Sequence, residues 1–276
     1  QNAAIRTGDN WVMQDCIVEK HAGGGMAVTG VNTVVRRIIA QDNGRYGIGG
    51  SGGRNILVQD CITRRNNRTI GDSNGGGGKF TRLDGAVIER LQAYENGGVG
   101  LWLDINNINV TVRDSEFHDN VTIYNPDGSR KIWGDGIDIE ISGMVVNKEE
   151  TAVTGEGPVV LENSRFWNNE HDGILAYASR NVIIRNNTVT DDHIYIKDGG
   201  RAPWGLSKLT VTGNTITRGF IQADGAVVND YQSKEIVLDN NTFITSPILY
   251  KWSGTSYRTL DAVRTALGYE LEGTVK

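Results

Sequence analysis

Apolar side chains fall at every second position of this chain in short bursts, and each burst stops at Asn, Asp or Gly. Alternation of that kind places one side of an extended chain in a core and the other outside. One burst recurs. Residues 11–18, Trp-Val-Met-Gln-Asp-Cys-Ile-Val, return as 33–40, 56–63, 86–93, 110–117, 159–166, 182–189, 209–216 and 236–243. These are nine copies, about 22 residues apart at the closest, and most are followed within a few residues by a strand that opens Gly-apolar. The last segment differs: Leu260, Val263 and Leu267 at i, i+3 and i+7, with Thr259 before them and Gly268 after, predict one short amphipathic helix with an N-cap and a glycine stop.

A β-rich repeat of this length without helical spacing between copies predicts a parallel solenoid in which each copy is one coil. The competing solenoid, built on Leu-x-x-Leu-x-Leu, lacks its phrase here. Over about residues 3–250 the repeats resemble those of the right-handed parallel β-helix, the pectate-lyase-like superfamily. The phrases Gly100-Leu101-Trp102-Leu103-Asp104 and Ile139-Glu140-Ile141-Ser142, with the tail from Trp252-Ser253-Gly254 to Tyr269-Glu270, resemble carbohydrate-active members related to the disaggregatase group. The expected architecture is therefore all-β: a right-handed parallel β-helix of about nine to ten coils forming a single domain over 1–276, closed by a helical segment at about 256–268.

The alignment carries further expectations. Ser115, Ser164, Asn187, Asn214 and Asn241 share one column at a bend, where stacked amides about 4.8 Å apart can bond along the column. Cys16 and Cys61 fall in that same column with Ile38 between them, two coils or about 9.6 Å apart, beyond disulfide reach. Both are expected to be buried free thiols. Insertions break the period at 68–76, 121–134, 143–158 and 198–205. All four flank the Gly-apolar strands and are expected to rise as walls around them, where function concentrates. The first coil lacks a conventional cap, so residues upstream of Gln1 are expected.

Counting outward positions from each strand-opening Gly, the second holds Ala27, Gly49, Lys79, Trp102, Asp138, Leu175 and Tyr195, and the fourth Thr29, Ser51, Thr81, Asp104, Glu140, Tyr177 and Lys197. The inward positions between them, such as Leu101, Leu103, Ile137 and Ile139, are apolar. Asp104, Asp138 and Glu140 thus share one exposed patch with an indole. Like charges that close raise at least one pKa, which keeps a carboxylic acid protonated for general-acid work. Glycoside hydrolysis needs that pairing and an aromatic surface for the sugar. The assignment from sequence makes Glu140 the general acid, Asp104 the base or nucleophile and Asp138 its helper. Trp102, Tyr177 and Tyr195 are sugar platforms, Lys79 and Lys197 bind hydroxyl or carboxylate groups, and His171 is a proton relay beside the patch.

Composition trims this picture without redirecting it. The chain of 276 residues has 36 Gly, 4 Pro, 2 Cys and 38% hydrophobic residues, which excludes collagen and disorder. A net charge of −5 with dispersed Lys and Arg argues against nucleic acid. No apolar run reaches the ~18 residues of a membrane span. The reading is a secreted, monomeric polysaccharide-degrading enzyme, a glycoside hydrolase without cofactor or metal. Two alternatives stand beside it: a polysaccharide lyase, in which the acids hold Ca²⁺ and Lys79, Lys197 or a nearby Arg takes the C5 proton, and a non-catalytic carbohydrate-binding module.

Overall fold

The computed structural model describes residues 2–200, 202–225 and 234–276. Each copy of the repeat bends once at a residue in the left-handed region, with φ of 52–57° at Asp15, Asp60, Asp114, Asn163, Asn186 and Asn240. Asn and Asp reach that region at low cost because their short polar side chains bond locally. Before the bend, strands from Val12–Glu19 and Val34–Gln41 to Val237–Asp239 stack parallel and in register, nine deep among the described residues. After it, shorter strands such as Ile62–Arg64, Gln92–Tyr94 and Thr188–Thr190 stack in a second parallel column.

The Gly-apolar strands make the third wall of the solenoid. From Ala3–Arg6 through Val99–Asp104 and Ile137–Glu140 to Tyr250–Trp252 they lie parallel in one sheet, and Thr255–Tyr257 turns back antiparallel at its end. Inward residues fill one continuous core. Val35, Ile88, Val112, Leu161, Ile184 and Val211 are fully buried in one file, and Phe117 stacks on Phe166 at 5.0 Å. Burial of such side chains is worth about 1.5–3 kcal/mol each, so the repeat holds itself together mainly through this file.

Bends are sealed by polar ladders. From Ser115 through Ser164, Asn187 and Asn214 to Asn241, each backbone N–H donates to the next side-chain oxygen at 2.9–3.1 Å. The column ends on Glu270, which accepts from Asn241 Nδ2 at 2.7 Å. A second ladder, unanticipated, runs Asn43, Asn66, Asn96, Asn120 and Asn169 and ends on Asp192, with amide bonds of 2.8–3.1 Å. A third joins Asn107, Ser142 and Ser179 directly behind the strands Val99–Asp104 and Ile137–Glu140.

Both cysteines are free, as expected, but only Cys61 is buried; Cys16 is partly exposed. Its strand heads the stack and pairs on one side only, with Val34–Gln41. Burial pushes the Cys61 thiol up to about 11. The helix forms as Leu260–Leu267. Thr259 accepts from the Ala262 N–H, Gly268 closes it at φ 72°, Val263 is fully buried, and Leu260 and Leu267 flank the core.

Candidate functional site

The predicted outward columns assemble in the predicted register. Lys79 pairs with Trp102, Trp102 with Asp138, Asp138 with Leu175 and Leu175 with Tyr195; Asp104 pairs with Glu140, Glu140 with Tyr177 and Tyr177 with Lys197. The fourth-position acids sit at a turn under strain. Ile105 and Ile141, which follow Asp104 and Glu140 directly, have φ of 49° and 48°. A β-branched residue there is a true outlier, and such strain is kept where the fold over-determines it. Behind the turn, Ile141 packs with Met144, Val146, Ala178 and Trp204 in a small apolar cluster of its own.

Asp104 and Glu140 are each held by a neighbour. Lys79 Nζ lies 2.8 Å from Asp104 Oδ2, donates to Asn74 Oδ1 at 2.9 Å, and stands 3.3 Å from the centre of the Trp102 ring. Trp102 Nε1 donates to Glu140 Oε2 at 3.1 Å. One face of the indole therefore carries an ammonium and its edge holds a carboxylate, so Trp102 orients Glu140.

Asp138 departs from the exposed position expected of it. It faces outward yet is only 7% exposed, because its column neighbours are Trp102 and Leu175, and Leu175 is itself buried. Its Oδ1 is buried without a hydrogen-bond partner. Burial, and then the charges of Glu140, Asp135 and Asp104, raise its pKa well above the carboxylate range. The raised pKa favours the protonated form of Asp138.

His171 lies beside this patch in a group of its own. Its Nδ1 is 2.6 Å from Asp135 Oδ1 and 3.0 Å from Asp172 Oδ2, and Trp133 stacks on the ring at 3.6 Å with the Arg130 guanidinium beyond it. Burial pulls the imidazole down, but the bonds and charges of the two aspartates outweigh it and push its pKa up to about 9. His171 thereby clamps the hairpin Ile123–Tyr124/Arg130–Ile132 of the second insertion against the sheet. Asp135, His171 and Asp172 also form a group whose ligand atoms lie within 4.8 Å of one another.

The other predicted residues spread along the sheet. Lys197 Nζ is 5.6 Å and 5.9 Å from the ring centres of Tyr177 and Tyr195. Tyr195 donates to Asp224 Oδ2 at 3.1 Å, and Tyr177 lies beneath Gly199, where a Cβ would meet its hydroxyl at 2.5 Å. Both rings are half-buried. The third insertion is the hairpin Met144–Val146/Val153–Glu156, and the fourth contributes Trp204 to the same apolar cluster; Arg201 within it lies outside the described residues. Sequence reading missed Asn74, Trp133 and Asp135, and placed Asp172 beside His171 just before the strand without seeing that Asp135 joins them. The acids were legible in principle, since each stands directly before a strand-opening Gly.

A family model described as "Right handed beta helix region" matches residues 2–154 and 146–243. No curated protein sequence matches the chain. Among solved structures, the A-module of the Azotobacter vinelandii mannuronan C-5 epimerase AlgE4 is similar at 14% identity and TM-score 0.61, over 96% of this chain and 61% of that one. The A-module of A. vinelandii AlgE6, also a mannuronan C-5 epimerase, gives 15% and 0.57 over 97% and 73%. A complex of XylC with xylose gives 11% and 0.53 over 87% and 45%. The chain thus spans about three fifths of the AlgE4 module.

Proposed function

We propose that this chain, which belongs to the right-handed β-helix family, is a polysaccharide-acting enzyme that hydrolyses glycosidic bonds at the face centred on Trp102, Asp138 and Glu140. One observation carries the reading: a buried carboxyl with a raised pKa, Asp138, beside Asp104 and Glu140, each held by its own donor. Two carboxyl groups in opposite protonation states are what hydrolysis of an acetal requires. Asp138 gives its proton to the glycosidic oxygen as the carbon–oxygen bond breaks. Glu140 or Asp104 takes the proton of the attacking water, or attacks the sugar before water does. Asp138 thus takes the general-acid role that the sequence assigned to Glu140.

Lys79 and Trp102 position Asp104 and Glu140, and the reaction needs no cofactor. Tyr177, Tyr195 and Lys197 would meet the polymer further along the sheet. The enzyme acts as a monomer outside the cell, where such polymers are found. The calcium-assisted lyase is the weaker reading, because the ammonium of Lys79 is engaged by Asp104, Asn74 and Trp102 rather than standing free as a base. The test is a screen of neutral and acidic polysaccharides that records new reducing ends and the ultraviolet absorbance of an unsaturated product together, with and without EDTA. Hydrolysis predicts reducing ends alone, insensitive to EDTA and lost in Asp138→Asn. Absorbance that EDTA abolishes would replace hydrolysis with elimination.

A further inference from the structure

We infer that the cleft on the N-terminal side of Lys79 is a subsite for a negatively charged sugar, carboxylate- or sulfate-bearing, next to the bond cleaved. The inference rests on the reading of the neighbouring acid patch as the reactive centre. The cleft has a volume of about 480 Å³, within the range of about 300–1,000 Å³ usual for small-ligand sites. It continues the acid patch directly, since Lys79 and Asp104 form its shared border. Its floor is low: Ala27, Gly50 and Ser51 line it. Side chains are excluded there by the packing of one coil on the next, as a Cβ on Gly50 would meet Val28 O at 1.9 Å and one on Gly49 would meet Lys79 O at 2.3 Å.

Arg6 and Arg82 line the same cleft. Many other arginines of this acidic chain are engaged by carboxylates, as in Arg37 with Asp15, Arg65 with Asp42 and Arg90 with Asp60, or by neutral groups, as in Arg36 with Gln14 and Arg64 with Tyr94. Arg6 and Arg82 have no acidic partner among the described residues, so two guanidinium groups border a concave surface with their charge unmatched. A guanidinium binds a planar oxyanion by two parallel hydrogen bonds, which suits a uronate or a sulfate ester and adds little for a neutral hexose. The one acid on the border, Asp104, is already paired with Lys79 at 2.8 Å and does not repel an incoming anion. The solenoid axis then runs the polymer from this cleft across Trp102 to Asp138.

The test is calorimetric titration of the full chain carrying Asp138→Asn, which binds without turnover, with three oligosaccharides of equal length. These are an oligogalacturonate, its methyl ester, and a sulfated galactan oligomer. At least one acidic probe should bind tenfold or more tighter than the ester, and the stronger of the two identifies the anion. Arg6→Gln and Arg82→Asn should each weaken that probe by about tenfold and leave the ester unchanged. Asn at 82 tolerates the φ of 55° found there, so loss of folding does not confound the result. Equal affinity for all three, no binding of any, or indifference to both substitutions overturns the subsite. Arginine-dependent binding without any product from the unsubstituted protein would instead overturn the hydrolase and leave the subsite standing.

Discussion

At the scale of the residue, this protein places costly groups where the chain around them cannot relax. Asp138 is the clearest case. Its pKa is raised in the folded protein, so the folded state keeps a proton that the unfolded chain releases above about pH 4. Stability therefore falls as pH rises from there toward the folded value. Asp138→Asn removes this penalty: its melting temperature should match the parent near pH 4 and exceed it by a few degrees at pH 8, while turnover disappears. A melting temperature that falls at every pH would make the carboxyl structural. His171 works with the opposite sign. Its pKa is raised from about 6.5 to about 9, so the stabilisation it gives through Asp135 and Asp172 is complete below about 6.5 and is lost as pH rises through about 9. His171→Gln should abolish the alkaline decline in melting temperature over that window. Backbone strain makes a smaller prediction. Glu95 is exposed with φ of 55°, and Glu95→Gly should raise the unfolding free energy by about 0.5–1 kcal/mol in a denaturant titration.

At the scale of the element, the ladders show what a repeat can and cannot announce. The column ending at Asn241 was legible because the same residue types recur at one place in each phrase. Its inner members are buried amides, so Asn214→Ala leaves two donors of Asn187 and the carbonyl of Ile184 without their partner and should cost about 3 kcal/mol in denaturant unfolding. Asn214→Ser should cost about half, since Ser115 and Ser164 already do the same work with one oxygen. The second ladder was equally periodic and went unread. Each of its members follows a left-handed residue, Asp42, Arg65, Glu95, Asp119, Asn168 or Asp191, and such polar pairs look like ordinary turns. The third mixes one Asn with two Ser and offers no pattern. Similarly, the breaks in period located the walls, but which of their side chains fold back, Asn74 onto Lys79 and Trp133 onto His171, is decided by contacts between coils. The acids were placed correctly in register, whereas the burial of Asp138 depended on the bulk of Trp102 and Leu175 on either side.

At the scale of the molecule, the ladders have a direction. Every amide donates to the coil that follows it, so the donors left over gather at one end of each column. A carboxylate is the side chain that accepts without donating. Glu270 meets Asn241 at the end of one column, and Asp192 meets Asn169 where the other stops, the next coil offering Gly219 in its place. These two acids act as terminators of a one-way polymer of hydrogen bonds. Glu270 closes the end of its column by accepting the last amide donor. Without it the last coil presents unsatisfied donors to any carbonyl edge that approaches, the condition under which sheets join end to end. Glu270→Ala should therefore sediment with a stronger concentration dependence than the parent.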